Sequence, residues 1–263
     1  MRFPTLPALL AALVTGVLAV PLSGCGGGTL VDAPAGRPGT PPPIDASRLS
    51  ADVRRFSAVP ADSAARERRV AVAASALRSA GWMPAIDGSF RISAGPPSER
   101  VEHVWATLAG REPGQYAELV VVAADLDAAT PLAAALETAR RLARQAAYEQ
   151  VPERSVLLAL SSAPRNAATG LSDFAARPPW ALDAVRHVLY VSSDSTRAAA
   201  VLRDAPPLGA RVEVIAAPPL PKTGTSRFFT SARDLASATA LADTLYGAVL
   251  AAAAPDTLTA AAP

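Results

Sequence analysis

Two kinds of apolar pattern alternate along the chain. Between Ala61 and Ala80, apolar residues recur at Val70, Ala73, Leu77 and Ala80, the spacing that gathers them on one face of a helix. Asp62 or Ser63 is placed to cap that helix and Gly81 to stop it. A short polar side chain takes up free N–H groups at a helix start, and glycine tolerates the turn that ends one. Elsewhere the apolar residues run on, without alternation in AELVVVA (117–123), and further runs follow in SVLLALSS (155–162), HVLYVSS (187–193) and RVEVIAA (211–217). Such short runs predict strands covered on both faces. VEHVWATLAG (101–110) is rich in β-formers and ends at Gly110, which predicts a further strand; the Pro-Gly of REPGQY then predicts a turn.

Helical patterns return after the strand at 117–123. Thr130 and Pro131 predict a helix start, proline being well placed at a first helical position, and Leu132, Leu136, Ala139 and Leu142 continue one face. The last helix is predicted from Ser231 as cap, Asp234 three residues on, and a buried stripe at Leu241, Leu245 and Val249. Trp82, Trp105 and Trp180 read most simply as core or lid residues. Strands alternating with helices predict an α/β fold, a three-layer α/β/α sandwich around a mostly parallel, mixed sheet. Ligands of such sheets sit outside the carboxyl ends of the strands. Asp125, Asp127, Ser161 to Arg165 and Ser192 to Asp194 all fall at those predicted ends.

The first residues carry a different signal. Arg2 precedes a short apolar stretch, Leu9 to Val20, and then Leu-Ser-Gly-Cys at 22–25. A membrane span needs about 20 apolar residues, so this stretch predicts a secretory leader. Its ending resembles the bacterial lipobox, and that resemblance implies diacylation of Cys25 after removal of residues 1–24. Cys25 is the only cysteine. An internal disulfide is therefore excluded, and acylation accounts for a lone thiol in an oxidising compartment. The expected address is the bacterial cell envelope on the extracytoplasmic or periplasmic face. Gly26 stands where some bacteria carry an Asp that retains lipoproteins in the inner membrane, so an outer-membrane anchor is preferred. Residues 26–47, rich in Gly and Pro, cannot bury enough surface to offset their ordering entropy, so 25–47 is expected to be a tether. One domain over 48–253 and a frayed tail over 254–263 complete the plan.

Charge adds little. The formal net charge is +2, and every basic residue except Lys222 is a scattered Arg without interleaved aromatics. That argues against nucleic acid, which needs clustered cations.

The order of segments then resembles a known family, the zinc exopeptidases of the bacterial leucyl aminopeptidase and glutamate carboxypeptidase type (metallopeptidase family twenty-eight). VVVAADLDA and TPLAAALETARRLA are similar to that family's ligand-bearing strand and following helix. VLLALSSAPRNAATGL (156–171) aligns without a gap on its next phrase, and VEHVWATLAGREPGQYAELVVVAADLDA resembles its lead-in. The resemblance spans about 49–252. It implies that Asp125 stands where the family has its first zinc-binding His. Asp127 is the Asp of the HxD phrase counted from the strand, or the metal-bridging Asp counted from the helix. Pro164 and Arg165 stand where the family has adjacent glutamates, one the general base and one a metal ligand. Asp194 or Ser192 takes the place of the acid at the next strand's end, and Phe229 that of the final His.

These replacements change the chemistry. Metal-assisted hydrolysis needs a carboxylate to take a proton from a metal-bound water. Pro164 has no ionisable group and Arg165 is permanently cationic. Zinc favours nitrogen or sulfur ligands, and His103 and His187 are placed by their positions near strand starts away from the carboxyl-end site. No G-x-S-x-G elbow or phosphate-binding glycine loop stands in for the lost metal. A pair between Asp125 or Asp127 and Arg165 is the simplest filling for the emptied site. The expected function is a lipid-anchored, non-catalytic binding or scaffolding module without a cofactor, its membrane contact made through the lipid and a peptide or envelope protein at the vestigial cleft. The alternative is an active metallopeptidase that holds zinc with divergent ligands.

Overall fold

The structure, a computed structural model, describes residues 41–58, 63–82, 90–94, 101–111, 118–148, 150–162, 182–192, 199, 211–216 and 232–254. All lie in one compact unit, Gly39–Pro263. The leader, Cys25, Trp180, Ser231 and the tail beyond Ala254 lie outside the described residues. In chain order the elements are α1 (Ala46–Ser57), α2 (Ser63–Ser79), β1 (Phe90–Ala94), β2 (Val101–Leu108), β3 (Leu119–Asp125), α3 (Ala129–Ala147), β4 (Ser155–Ser162), a 3-10 turn (Leu182–Ala184), β5 (Val185–Ser192), β6 (Arg211–Ala216) and α4 (Ala232–Ala253).

The six strands form one mixed sheet in the order β1-β2-β4-β3-β5-β6. β4, β3, β5 and β6 run parallel, while β2 is antiparallel to β4 and β1 is antiparallel to β2. Successive side chains of a strand point to opposite faces, and this sorts the core in two. Val104, Val120, Val122, Ala124, Leu158, Leu160, Leu189 and Val191 face the helices, where they meet Leu77, Leu136, Leu241 and Leu245. Trp105, Val121, Ala123, Leu157, Ala159, Val188 and Tyr190 form a second cluster on the other face. Both faces are buried, which explains why these strands read as continuous apolar runs. Among the described residues, the helices contribute to the first cluster and not to the second.

The predicted stop of α2 at Gly81 is met, whereas α3 begins at Ala129, two residues before Pro131 and without a side-chain cap. In α2, the Gly81 N–H donates to the Arg78 carbonyl and the Trp82 N–H to the Leu77 carbonyl, with Gly81 at φ 82°. That double bond is the Schellman stop, and the buried Trp82 and Leu77 supply its usual apolar contact. The Trp82 indole N–H donates to the Ala139 carbonyl at 2.7 Å and so joins α2 to α3. α4 packs alongside α3, with Thr138 reaching the Ala242 carbonyl and the Tyr246 hydroxyl meeting Gln145.

Two elements go beyond the sequence reading. β1 is a five-residue edge strand, too short for a periodicity to register. α1 lies at the end of the presumed tether, its buried residues Leu49, Asp52, Val53 and Phe56 at helical spacing. Part of the segment expected to be a tether is also seated. The carbonyls of Pro42 and Pro43 accept from Arg141 and Arg144 of α3 at 2.8 and 2.9 Å, and the Asp45 N–H donates to Glu137 at 3.1 Å. Glu137 is fully buried and also holds Arg140 and Arg144; Arg140 in turn pairs with Asp52 of α1. The charges of α3 therefore clamp the chain just before α1 as well as α1 itself.

Candidate functional site

β3 delivers Asp125 to the carboxyl edge of the sheet and stops there. The turn that follows is built on its side chain. An Asp125 carboxylate oxygen accepts from the Asp127 N–H at 2.8 Å, the Asp125 carbonyl accepts from the Ala128 N–H, and the Leu126 N–H donates to the Ser161 carbonyl of β4. A short carboxylate that bonds the backbone two residues on is an Asx turn. This one redirects the chain from β3 into α3 within three residues. Asp125 is 5% exposed.

Asp127, two residues on, turns toward the helices. Its Oδ1 accepts from an Arg69 guanidinium nitrogen at 2.8 Å, and the side chain of Arg69 is only 7% exposed. Arg69 stands next to Val70 on the buried face of α2, and its other terminal nitrogen donates to the Phe56 carbonyl at the end of α1. The cation on Asp127 thus comes from α2, a source the sequence reading did not consider. Arg165, the partner expected for one of the two acids, lies outside the described residues, as do Pro164, Asp194 and Phe229.

One expectation is corrected. His103 was placed away from the site because it sits near the start of its strand. Because β2 runs against β4, the start of β2 lies at the carboxyl edge of the parallel strands. His103 pairs with Ser161, and Ser161 pairs with Asp125 on its other side. The His103 Nδ1 lies 2.7 Å from the Ser161 hydroxyl oxygen. Ser192, one residue past the Ala124–Val191 pair, closes the same row. His103, Ser161, Asp125 and Ser192 therefore form a polar row at the edge, on the face opposite the helices; His103, Asp125 and Ser192 are buried. The strand-direction signal that locates His103 is absent from a single strand's sequence and emerges only on pairing. His187 keeps its expected place toward the amino end of β5, level with Arg211 and Val120.

Among the described residues, the donor set at this edge does not fit zinc. Of the two acids at the tip of β3, Asp127 is neutralised by Arg69 and Asp125 is bonded within its turn. Among the described residues, no three His, Cys, Asp or Glu side chains come together as a metal cluster, whereas zinc sites use three or four such ligands. The His103–Ser161 contact has the separation of a base and a nucleophile. It bridges two paired strands at in-register positions, which is also the geometry of a cross-strand hydrogen bond.

No protein-family model matches the sequence, and no curated protein matches it. Solved structures do match in fold. The LapA aminopeptidase of Legionella pneumophila superposes with a TM-score of 0.50 at 10% identity, over 81% of this chain and 71% of that one. LapB from the same organism gives 0.48 at 11% identity, over 80% and 72%. A candidate zinc-dependent exopeptidase from Bacteroides vulgatus gives 0.49 at 12% identity, over 80% and 97%. The likeness to LapA, together with the strand order, defines the class: an α/β chain with an aminopeptidase-like fold. At this identity the likeness reaches the fold and stops there.

Proposed function

We infer that this chain is a lipid-anchored envelope protein whose peptidase-like domain is a non-catalytic binding or scaffolding module. The observation that carries this reading is the end of β4. The strand closes at Ser162, and Ala163, Pro164 and Arg165 follow, where the resembled family places the acid pair that grips a metal and deprotonates water. A proline and a guanidinium can do neither. The ion pair of Asp127 with Arg69 supports the same reading, since a side-chain cation already neutralises one of the two remaining acids. The lipobox-like Leu-Ser-Gly-Cys and the solitary Cys25 support the anchor. The partner this reading implies is a peptide or an envelope protein at the carboxyl edge of the sheet.

A second reading, an active metallopeptidase with divergent ligands, draws its support from His103, a nitrogen donor in the same row as Asp125. Its Nδ1, however, is in contact with the Ser161 hydroxyl. Metal analysis of the purified full-length chain, with aminopeptidase assays before and after zinc addition, decides between the two. The expected result is no stoichiometric zinc and no turnover. Stoichiometric zinc with an activity that disappears in Asp125→Ala would establish the second reading and end the first.

A further inference from the structure

We propose that the exposed face of α1 is a docking surface for anionic phospholipid headgroups. This rests on the lipid anchor at Cys25 and adds which face of the domain meets the membrane that holds it. α1 buries Leu49, Val53 and Phe56 together with its single acid, Asp52, which is paired with Arg140 of α3. The exposed side keeps Arg48, Arg54 and Arg55, separated by the small residues Ser47, Ala51 and Ser57. Three cations therefore face water with no acid and no bulky apolar side chain on the same helix. Arg48 and Arg55 stand two turns apart on one line of α1, about 10 Å along its axis, with Ala51 between them and Arg54 beside them.

These arginines differ from those in the rest of the fold. Arg69 is held by Asp127, Arg141 by Asp243, and Arg154 and Arg186 by Glu118. Arg54 and Arg55 make no ion pair among the described residues. Arg48 has only Asp45, at 4.0 Å, with its side chain 58% exposed. The helix dipole favours cations in the last turn, where Arg54 and Arg55 lie, but opposes Arg48 in the first turn. The dipole alone does not account for a line of cations along the whole helix.

The occupant follows from what the chain keeps close to this face. Exposed cations are screened by salt and are weak sites for a diffusing acidic protein. A bilayer that already holds the chain is a different partner. Residues 26–41 reach at most about 60 Å even when fully extended. From Pro42 onward the chain is fixed to α3: the carbonyls of Pro42 and Pro43 accept from Arg141 and Arg144, and the Asp45 N–H donates to Glu137. This strap leads directly into α1, so the helix starts within one tether's length of the headgroups. Tethering of this kind gives a weak contact a high effective concentration. Each arginine near an anionic surface then strengthens the contact about fivefold, and salt weakens it.

A spin label on Ala51→Cys tests the face in the full-length chain, expressed in a bacterial host and reconstituted into vesicles, with a nickel chelate carried on a lipid headgroup as the relaxing agent. Relaxation of the label is expected to be at least about twofold stronger in phosphatidylcholine vesicles that contain phosphatidylglycerol than in phosphatidylcholine alone, and to fall back in high salt. A label on Ala109→Cys, exposed past the end of β2, is expected to respond equally in both. Arg48→Gln/Arg54→Gln/Arg55→Gln is expected to keep the thermal midpoint, since all three side chains are exposed, and to remove the difference at Ala51→Cys. Equal relaxation in the two lipids, or a difference that survives the triple substitution, overturns the docking face. A label that ignores phosphatidylglycerol but is immobilised by polyglutamate assigns the face to an acidic protein and overturns it likewise. Absence of labelled palmitate on Cys25, with the chain washed off phosphatidylcholine vesicles, overturns instead the lipid-anchor reading beneath the proposal, so the two failures are told apart.

Discussion

Two glycines illustrate how a single residue's role depends on what surrounds it. Gly81 has open space where a Cβ would go, yet its φ of 82° lies in the left-handed region that side chains disfavour. Gly110 lies outside that region, but a Cβ there would overlap the Glu153 carbonyl oxygen and the Arg154 and Ser155 backbone. Its own N–H donates to the Ser155 hydroxyl at 3.0 Å, which holds the end of β2 against the start of β4. Alanine at Gly81 should therefore cost about 1 kcal/mol, the backbone penalty alone. Alanine at Gly110 should cost more, about 2 kcal/mol, because backbone must move to admit the methyl group. Urea unfolding of the two variants checks the order. A Gly110→Ala protein as stable as Gly81→Ala would mean that the β2 end and the Glu153–Ser155 segment separate freely. Both glycines stand out in the sequence as element stops, but only Gly81 stops its element through its dihedral angle. The tight approach at Gly110 needs the pairing of two strands and has no local sequence signature.

At the scale of elements, the amino edge of the sheet is fastened by one acid and two arginines. Glu118, just before β3, accepts from Arg154 at 2.7 Å and from Arg186 at 2.8 and 2.9 Å. Arg154 also closes α4: its N–H donates to the Ala253 carbonyl, and its guanidinium to the carbonyls of Ala252 and Ala254. The last carbonyls of a helix lack internal partners, so this arginine both caps α4 and joins it to the sheet. The bond from Arg154, with a further contribution from Arg186, holds the Glu118 carboxyl below its ordinary value near 4.5. A carboxyl with a lowered folded-state pKa adds stability above its unfolded value and loses that stability as the pH falls through the folded one. Glu118→Gln should therefore lower the thermal midpoint at pH 7, with the deficit shrinking as the pH is taken down through and below 4.5. A deficit that stays constant from pH 7 to pH 3 would show that the charge of Glu118 contributes nothing.

The same scale shows which elements the sequence could and could not announce. β3, β4, β5, α3 and α4 were legible because burial on both sides, or along one stripe, leaves a periodic or continuous apolar trace. α1 was hidden because the Gly/Pro-rich stretch before it dominates the local composition, and its buried face includes Asp52, a charge made tolerable only by Arg140. The site was half legible. Asp125 and Asp127 were found by their place after an apolar run. His103 was dismissed because strand direction is a property of the assembled sheet, and Arg69 escaped because its partner lies 58 residues away in the chain.

For the whole molecule, the question is which part would hold it to a membrane. α4 is a candidate by length and composition alone: Leu235–Ala253 is long and apolar enough to cross one. Its place in the fold argues otherwise. Ala238, Leu241, Ala242, Leu245, Tyr246 and Val249 are buried against the remainder of the domain, and its end is capped by Arg154. The residues it leaves exposed, among them Ala236, Ala240, Asp243, Thr244 and Gly247, are small or polar, a face suited to water. A spanning helix would have to leave this packing and expose the core of the sheet, at a cost in buried apolar area. Attachment through acyl chains on Cys25, as proposed, requires no such rearrangement, and at least two lipid signals suffice for stable anchoring. Charges placed on the water-facing side of α4, as in Ala240→Glu with Ala251→Glu, should leave both the fold and the membrane attachment unchanged, whereas in a spanning helix they would be expelled from the bilayer. Cys25→Ser should abolish incorporation of labelled palmitate in a bacterial host, while wild type and the α4 variant incorporate it equally. Loss of membrane attachment in the α4 variant, with palmitate still incorporated, would make α4 the anchor and require a different packing of the helix in the cell.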